Sequence, residues 1–71
     1  MEVYKHKGNN YYYIVYKIVK DMVYFIDWDG QDIHYWRSNT RLFHLFKKEY
    51  LKPASKLKSI LITYEIPKFG I

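Results

Sequence analysis

Between Met22 and Arg37 an Asp29-Gly30 pair separates two β-branched and aromatic runs, and that pattern constrains the chain to an antiparallel hairpin. Met22–Trp28 reads as the outgoing strand, Asp29-Gly30-Gln31-Asp32 as the loop and Ile33–Arg37 as the return. A two-residue Asp29-Gly30 turn would set Asp27 opposite Asp32, a like-charge pair. A four-residue loop sets Asp27 opposite His34 and Phe25 opposite Trp36, which is the expected register.

Upstream, Tyr11–Val19 is rich in aromatic and β-branched residues and reads as a strand. Lys20-Asp21 joins it to Met22–Trp28 as a tight reversal, by spacing more than by favoured turn chemistry. Val3–His6 is a short first strand, followed by the turn Lys7-Gly8-Asn9-Asn10. With a two-residue Lys20-Asp21 turn, strict alternation predicts one face with Tyr13, Val15, Lys17, Tyr24, Ile26, Trp28, Tyr35 and Arg37. The other face then carries Tyr12, Ile14, Tyr16, Phe25, Asp27, His34 and Trp36. Neither face is plainly polar, so each needs cover or is displayed as an aromatic binding surface.

After Ser38 and Asn39, both N-cap residue types, the period changes. Leu42, Leu45, Phe46, Glu49 and Tyr50 fall at helical spacing, which predicts one amphipathic helix over Thr40–Leu51, stopped by Pro53. Ala54–Lys58 reads as a basic connection. Ser59–Ile66 reads as a last strand ended by Pro67, whose edge is free to pair with a second copy. The expected product is one small, mainly β domain over residues 1–71. It is a meander of three to five strands with one helix, closed as an SH3-like barrel in preference to an OB-like one because its hairpins are short and sequential.

Such a miniature must be held by what it contains. The 71 residues include no cysteine, so neither disulfides nor a cysteine zinc site stabilise it; two Trp, nine Tyr and four Phe are the expected stabilisers. A core of this size rarely supplies more than about 3–5 kcal/mol. The longest apolar run, Tyr11–Tyr16, is cut by Lys17 and is too short to span a membrane. No signal-peptide pattern opens the chain, and a cytoplasmic location with no membrane association is expected.

The stretch Tyr4-Lys5-His6-Lys7-Gly8-Asn9 and then Tyr11 resembles the opening of a family of small uncharacterised bacterial and phage proteins. Members begin with a Tyr-x-His-x-Lys-Gly-Asn signature and continue into a Tyr-rich strand. Val23-Tyr24-Phe25, Ile33-His34-Tyr35-Trp36-Arg37-Ser38 and Leu42-Phe43 are similar to that family's later strand, Trp-x-Arg-Pro element and short helix. The resemblance covers residues 4–46. One residue is missing between His6 and Lys7, Arg37 directly follows Trp36, and Ser38 stands where the family has Pro. The resemblance implies an SH3-like barrel, a phage or mobile-element setting and no particular activity.

Charge supplies the main functional lead. Asp21, Asp27, Asp29 and Asp32 lie in a stretch without Lys or Arg, whereas Arg37, Arg41, Lys47, Lys48, Lys52, Lys56 and Lys58 face only Glu49. The chain is therefore dipolar as well as carrying a net charge of +5. The strip Arg37, Arg41, Lys47, Lys48 and Lys52 is the expected phosphate contact, with Trp36 stacking on a base of a bound nucleic acid. A second reading is a protein-interaction module that uses an aromatic groove of Tyr24, Trp28 and Tyr35 together with the acidic hairpin.

Chemistry has weaker support. Asp27-x-Asp29-Gly30-x-Asp32-x-His34 offers carboxylates to a divalent cation but lacks the EF-hand spacing, and reads more simply as a turn with Asp27 pairing His34. His6, His34 and His44 match no metal signature. Ser38, Ser55 and Ser59 sit in no nucleophile elbow. An acid–base pair of Asp27 and His34 is the one hydrolytic arrangement available. The expectation is a non-enzymatic binding module without cofactor or metal.

Overall fold

The structure, a computed structural model, describes residues 2–65. In chain order these form β1 (Glu2–His6), β2 (Tyr12–Val19), β3 (Met22–Trp28), β4 (Ile33–Asn39), α1 (Thr40–Tyr50), β5 (Leu51–Pro53) and α2 (Lys56–Glu65). The strands make one antiparallel sheet in the order β4-β3-β2-β1-β5. The register chosen from charge holds: Asp27 stands opposite His34 and Phe25 opposite Trp36.

Strict alternation fails once, in β2. Val15 pairs with Phe25 but Lys17 pairs with Tyr24, so Tyr16 is the extra residue of a bulge. An unbulged ladder would set Ile14 opposite Asp27. The bulge instead sets Ile14 opposite Ile26 and Tyr13 opposite Asp27, correcting the predicted faces. Each side then receives a continuous apolar cluster. Tyr13, Val15, Val23 and Phe25 are buried with Phe43 and Leu51 on one side; Val3, Ile14 and Ile26 are buried with Ile62 on the other.

The first helix matches its expectation to within a residue. The Asn39 side chain accepts the Leu42 N–H at 2.8 Å, capping α1, and the Thr40 N–H donates to the Asp21 carbonyl at 2.8 Å, tying the helix start to the β2–β3 turn. Phe43 fills the core against Phe25 (ring centres 5.0 Å), and Phe46 meets Tyr13 edge-on at 5.2 Å. Leu51, predicted as the last helical residue, opens β5 beside β1.

The final strand is a helix. Ser55 Oγ accepts the Lys58 N–H at 3.2 Å, the Ser59 N–H donates to the Ser55 carbonyl at 2.9 Å, and α2 runs to Glu65 with Ile62 buried. Serine capping and one buried isoleucine override the strand propensity of the Ile-Leu-Ile-Thr run, which period alone does not separate from a helix. Ile66 and Pro67, the predicted end of that strand, lie outside the described residues. The consequence is architectural: β4 and β5 stand at opposite edges, so the described sheet is open with one helix on each face. Neither the SH3-like closure nor edge pairing through residues 59–65 is what the strands make. No helix among the described residues is long and apolar enough to cross a membrane.

Candidate functional site

The sheet divides the basic strip. Arg37 lies opposite Tyr24 and Lys52 opposite Lys5, which places both on the α2 side of the sheet. Arg41, Lys47 and Lys48 ride on α1, across the sheet from them. Lys47 is partly engaged already: its Nζ lies 5.1 Å from the centre of the Tyr4 ring and 3.5 Å from the Tyr4 hydroxyl. Burial and the Glu2 carboxylate, which accepts the Tyr4 hydroxyl at 3.0 Å, still push that phenol up to about 12. Trp36 alternates onto the α1 side and is therefore not beside Arg37. The predicted nucleic-acid set is thus two sets.

On the α2 side lies a different group. Lys17 is the cross-strand partner of Tyr24, and the bulge brings Tyr16 beside the same ring. The Tyr16 ring centre is 6.4 Å from that of Tyr24 and 6.4 Å, edge-on, from that of Tyr35. Lys17 Nζ lies 5.4 Å from the centre of the Tyr24 ring, on the β2 flank, and the exposed Arg37 flanks the same tyrosine on β4. The β2, β3 and β4 positions of this face hold no carboxylate. Of the predicted aromatic groove, Tyr24 and Tyr35 belong to this patch, whereas Trp28 packs toward the α2 cluster.

A second cationic group surrounds Tyr12. Lys5 Nζ lies 5.8 Å and Lys58 Nζ 5.4 Å from its ring centre, and Lys52 is the cross-strand neighbour of Lys5. Like charges directly opposite each other are unfavourable on a bare sheet. Lys5 Nζ relieves this in part by donating to the carbonyls of His6, at 3.0 Å, and Asn9. Beside Tyr12 a recess of about 240 Å³ is lined by Lys5, Asn10, Trp28, Asp29 and Lys58.

The acidic hairpin is spent on its own geometry. Asp29 Oδ1 accepts the N–H groups of Gln31 and Asp32, each at 2.9 Å, and these hydrogen bonds hold its carboxyl below the usual carboxylate range. Asp27 Oδ1 meets His34 Nδ1 at 3.1 Å. Among the described residues no three His, Asp or Glu side chains converge as metal ligands. His6 stacks on Tyr50 (5.7 Å, 19°), His34 sits on β4 at the opposite edge of the sheet, and His44 rides on α1.

A concavity of about 360 Å³ lies between the sheet and α1 and is lined by Asp27, Trp36, Ser38, Leu42, Phe43 and Phe46 among others. Ser38 and His34 are four residues apart on one strand, about 13 Å of rise, so the His34–Asp27 pair has no serine within hydrogen-bond reach there.

Tyr16, Lys17 and Lys5 were not legible as site residues. The bulge brings Tyr16 to Tyr24 and α2 brings Lys58 to Tyr12, and neither leaves a mark in local spacing. No known protein family, curated protein or solved structure matches the chain.

Proposed function

We propose that this chain is a non-enzymatic binding module that takes single-stranded nucleic acid on the sheet face carrying Tyr16, Tyr24 and Tyr35. One observation carries the reading: three tyrosine rings share that face, their central strand residue Tyr24 has Lys17 on one flank and Arg37 on the other, and no carboxylate intervenes. Every base has a π-face, so stacking on tyrosine tolerates any sequence, and flanking cations meet the phosphates. Kinship with the small bacterial and phage family, a phage or mobile-element setting and a cytoplasmic location belong to the same proposal. Fluorescence anisotropy with a labelled oligothymidylate at low salt tests it. Tyr35→Ala is expected to weaken binding about 5- to 150-fold, the equivalent of about 1–3 kcal/mol per stacked base. Absence of binding at low salt overturns it.

The groove between β4 and α1 favours a second reading, a protein-interaction module. Its lining is apolar apart from Asp27 and Ser38, and Trp36 and Leu42 stand exposed at its rim. A partner held there resists nuclease and high salt, which separates the two readings.

A further inference from the structure

Helix α2 buries Ile62 against the sheet and turns an apolar stripe the other way. Leu57, Ile60, Leu61 and Tyr64 are 69, 50, 51 and 78 % exposed, at i, i+3, i+4 and i+7 spacing. The stripe is symmetric about the midpoint between Ile60 and Leu61. An antiparallel copy of the same helix therefore sets Leu57 level with Tyr64 of the copy, and Ile60 level with its Leu61. A shallow groove of about 270 Å³ runs beside it along Ser59, Ile60, Thr63 and Tyr64. The Thr63 hydroxyl is turned back onto the Ser59 carbonyl at 2.7 Å, so it makes no demand on a partner's apolar side chain.

The charges of α2 select the occupant. A helix is stabilised by acids in its first turn and bases in its last, and α2 has neither. It has the reverse, with Lys56 and Lys58 at the positive pole and Glu65 at the negative one. Against an antiparallel copy the two ends are complementary in charge. Each Lys56 end lies beside the copy's C-terminal pole, level with its Glu65, and each Glu65 beside the copy's N-terminal pole. We propose that the chain forms a two-fold symmetric dimer through antiparallel pairing of α2 with α2 of a second copy, an isologous contact in which one self-complementary stripe serves both partners. The inference is independent of the nucleic-acid reading, because the tyrosine patch lies on β2, β3 and β4 and leaves the stripe unused.

Sedimentation equilibrium on the full chain tests it and is expected to show a reversible monomer–dimer equilibrium. Ile60→Glu is expected to weaken the dimer at least about 30-fold, as for a central interface residue. Its circular dichroism should match the parent, because Ile60 is already half exposed. Charge reads the orientation: Lys56→Glu and Glu65→Lys each weaken self-association, and mixing the two variants restores a dimer that contains one of each. A chain that stays monomeric at every concentration overturns the proposal, as does a dimer indifferent to Ile60→Glu. Failure of the charge variants to recombine overturns the antiparallel arrangement. A dimer that appears only after residues 66–71 are removed assigns that segment to the stripe and overturns the proposal for the full chain.

Discussion

The Lys17 ammonium stands 5.4 Å from the centre of the ring of Tyr24, its cross-strand partner, and the β2 bulge just before it brings Tyr16 to the same ring. With Arg37 on the other flank of Tyr24, two cations frame one aromatic platform. For single-stranded nucleic acid, each phosphate neutralised contributes about 0.7 to the slope of log affinity against log salt. The double variant Lys17→Ala/Arg37→Ala is expected to lower that slope by about 1.4. Arg41→Ala/Lys48→Ala, on the far side of the sheet, should leave it unchanged. Titrations at several salt concentrations check both.

The turn between β2 and β3 holds Lys20 at φ 52°, the sole positive φ among the described non-glycine residues. A side chain costs about 1–2 kcal/mol in that left-handed region, and a first central residue with positive φ suits the glycine-led hairpin turn. Lys20→Gly is expected to stabilise the domain by about 0.5–1 kcal/mol after glycine's extra backbone entropy is counted. Thermal denaturation should show a rise of about 2–8 °C.

Ile62 is the buried residue that docks α2, and it packs with Ile14 and Ile26. Ile62→Ala is expected to cost about 2–5 kcal/mol and Ile62→Val about 0.5–1.5 kcal/mol. The larger figure reaches the ceiling for a core of this size, about 3–5 kcal/mol. Urea denaturation of the valine variant, with hydrogen exchange over 56–65, should show α2 opening before the sheet.

Asn39 caps α1 through the 2.8 Å bond from the Leu42 N–H, at the corner where β4 turns into the helix. Asn39→Ala is expected to cost about 1 kcal/mol in chemical denaturation. Asn39→Asp keeps an acceptor and adds a negative charge at the positive pole of the helix, so it should match the parent or exceed it.

Much of the sheet and of α1 was legible because the determinants are local. The Asp29-Gly30 pair and the Asp27–His34 charge match set one register, and Asn39 with the Leu42–Phe43–Phe46 spacing set one helix. What was not legible depends on distant partners. Nothing around Tyr16 announces a bulge; its reason is that Ile14 gains Ile26 and loses Asp27 as its cross-strand neighbour. Residues 59–65 carry strand propensity, and the cap at Ser55 together with the burial of Ile62 decides for helix. The candidate site inherits both effects. Arg37 and Trp36 adjoin in sequence yet face opposite sides of the sheet, whereas Tyr16 reaches Tyr24 only through the bulge.

Alkaline stability follows from two phenols. Burial, the hydrogen bond to Glu2 and the Glu2 charge raise the Tyr4 pKa from 10.0 to about 12; burial and the Asp27 charge, with a smaller effect from Tyr11, raise that of Tyr13. Both shifts favour the neutral phenol in the folded chain, so their stabilisation is complete below pH 10 and is lost as pH rises through the folded values. Titration of phenolate absorbance should therefore show a tyrosine ionising near 12 that disappears in Tyr4→Phe. Glu2→Gln removes a carboxylate but not the burial, so it should move that step only part of the way back toward 10.0. The acid limb has the opposite sign. The Asp29 carboxylate is held down by the N–H groups of Asp32 and Gln31, so its contribution is present above 3.8 and fades as pH falls through the lowered value. Asp29→Asn keeps an acceptor for the turn while removing the titration. Its denaturation midpoint should lose the Asp29 share of the acid dependence and follow the parent's through the alkaline range, which separates the hairpin's proton from the tyrosines'.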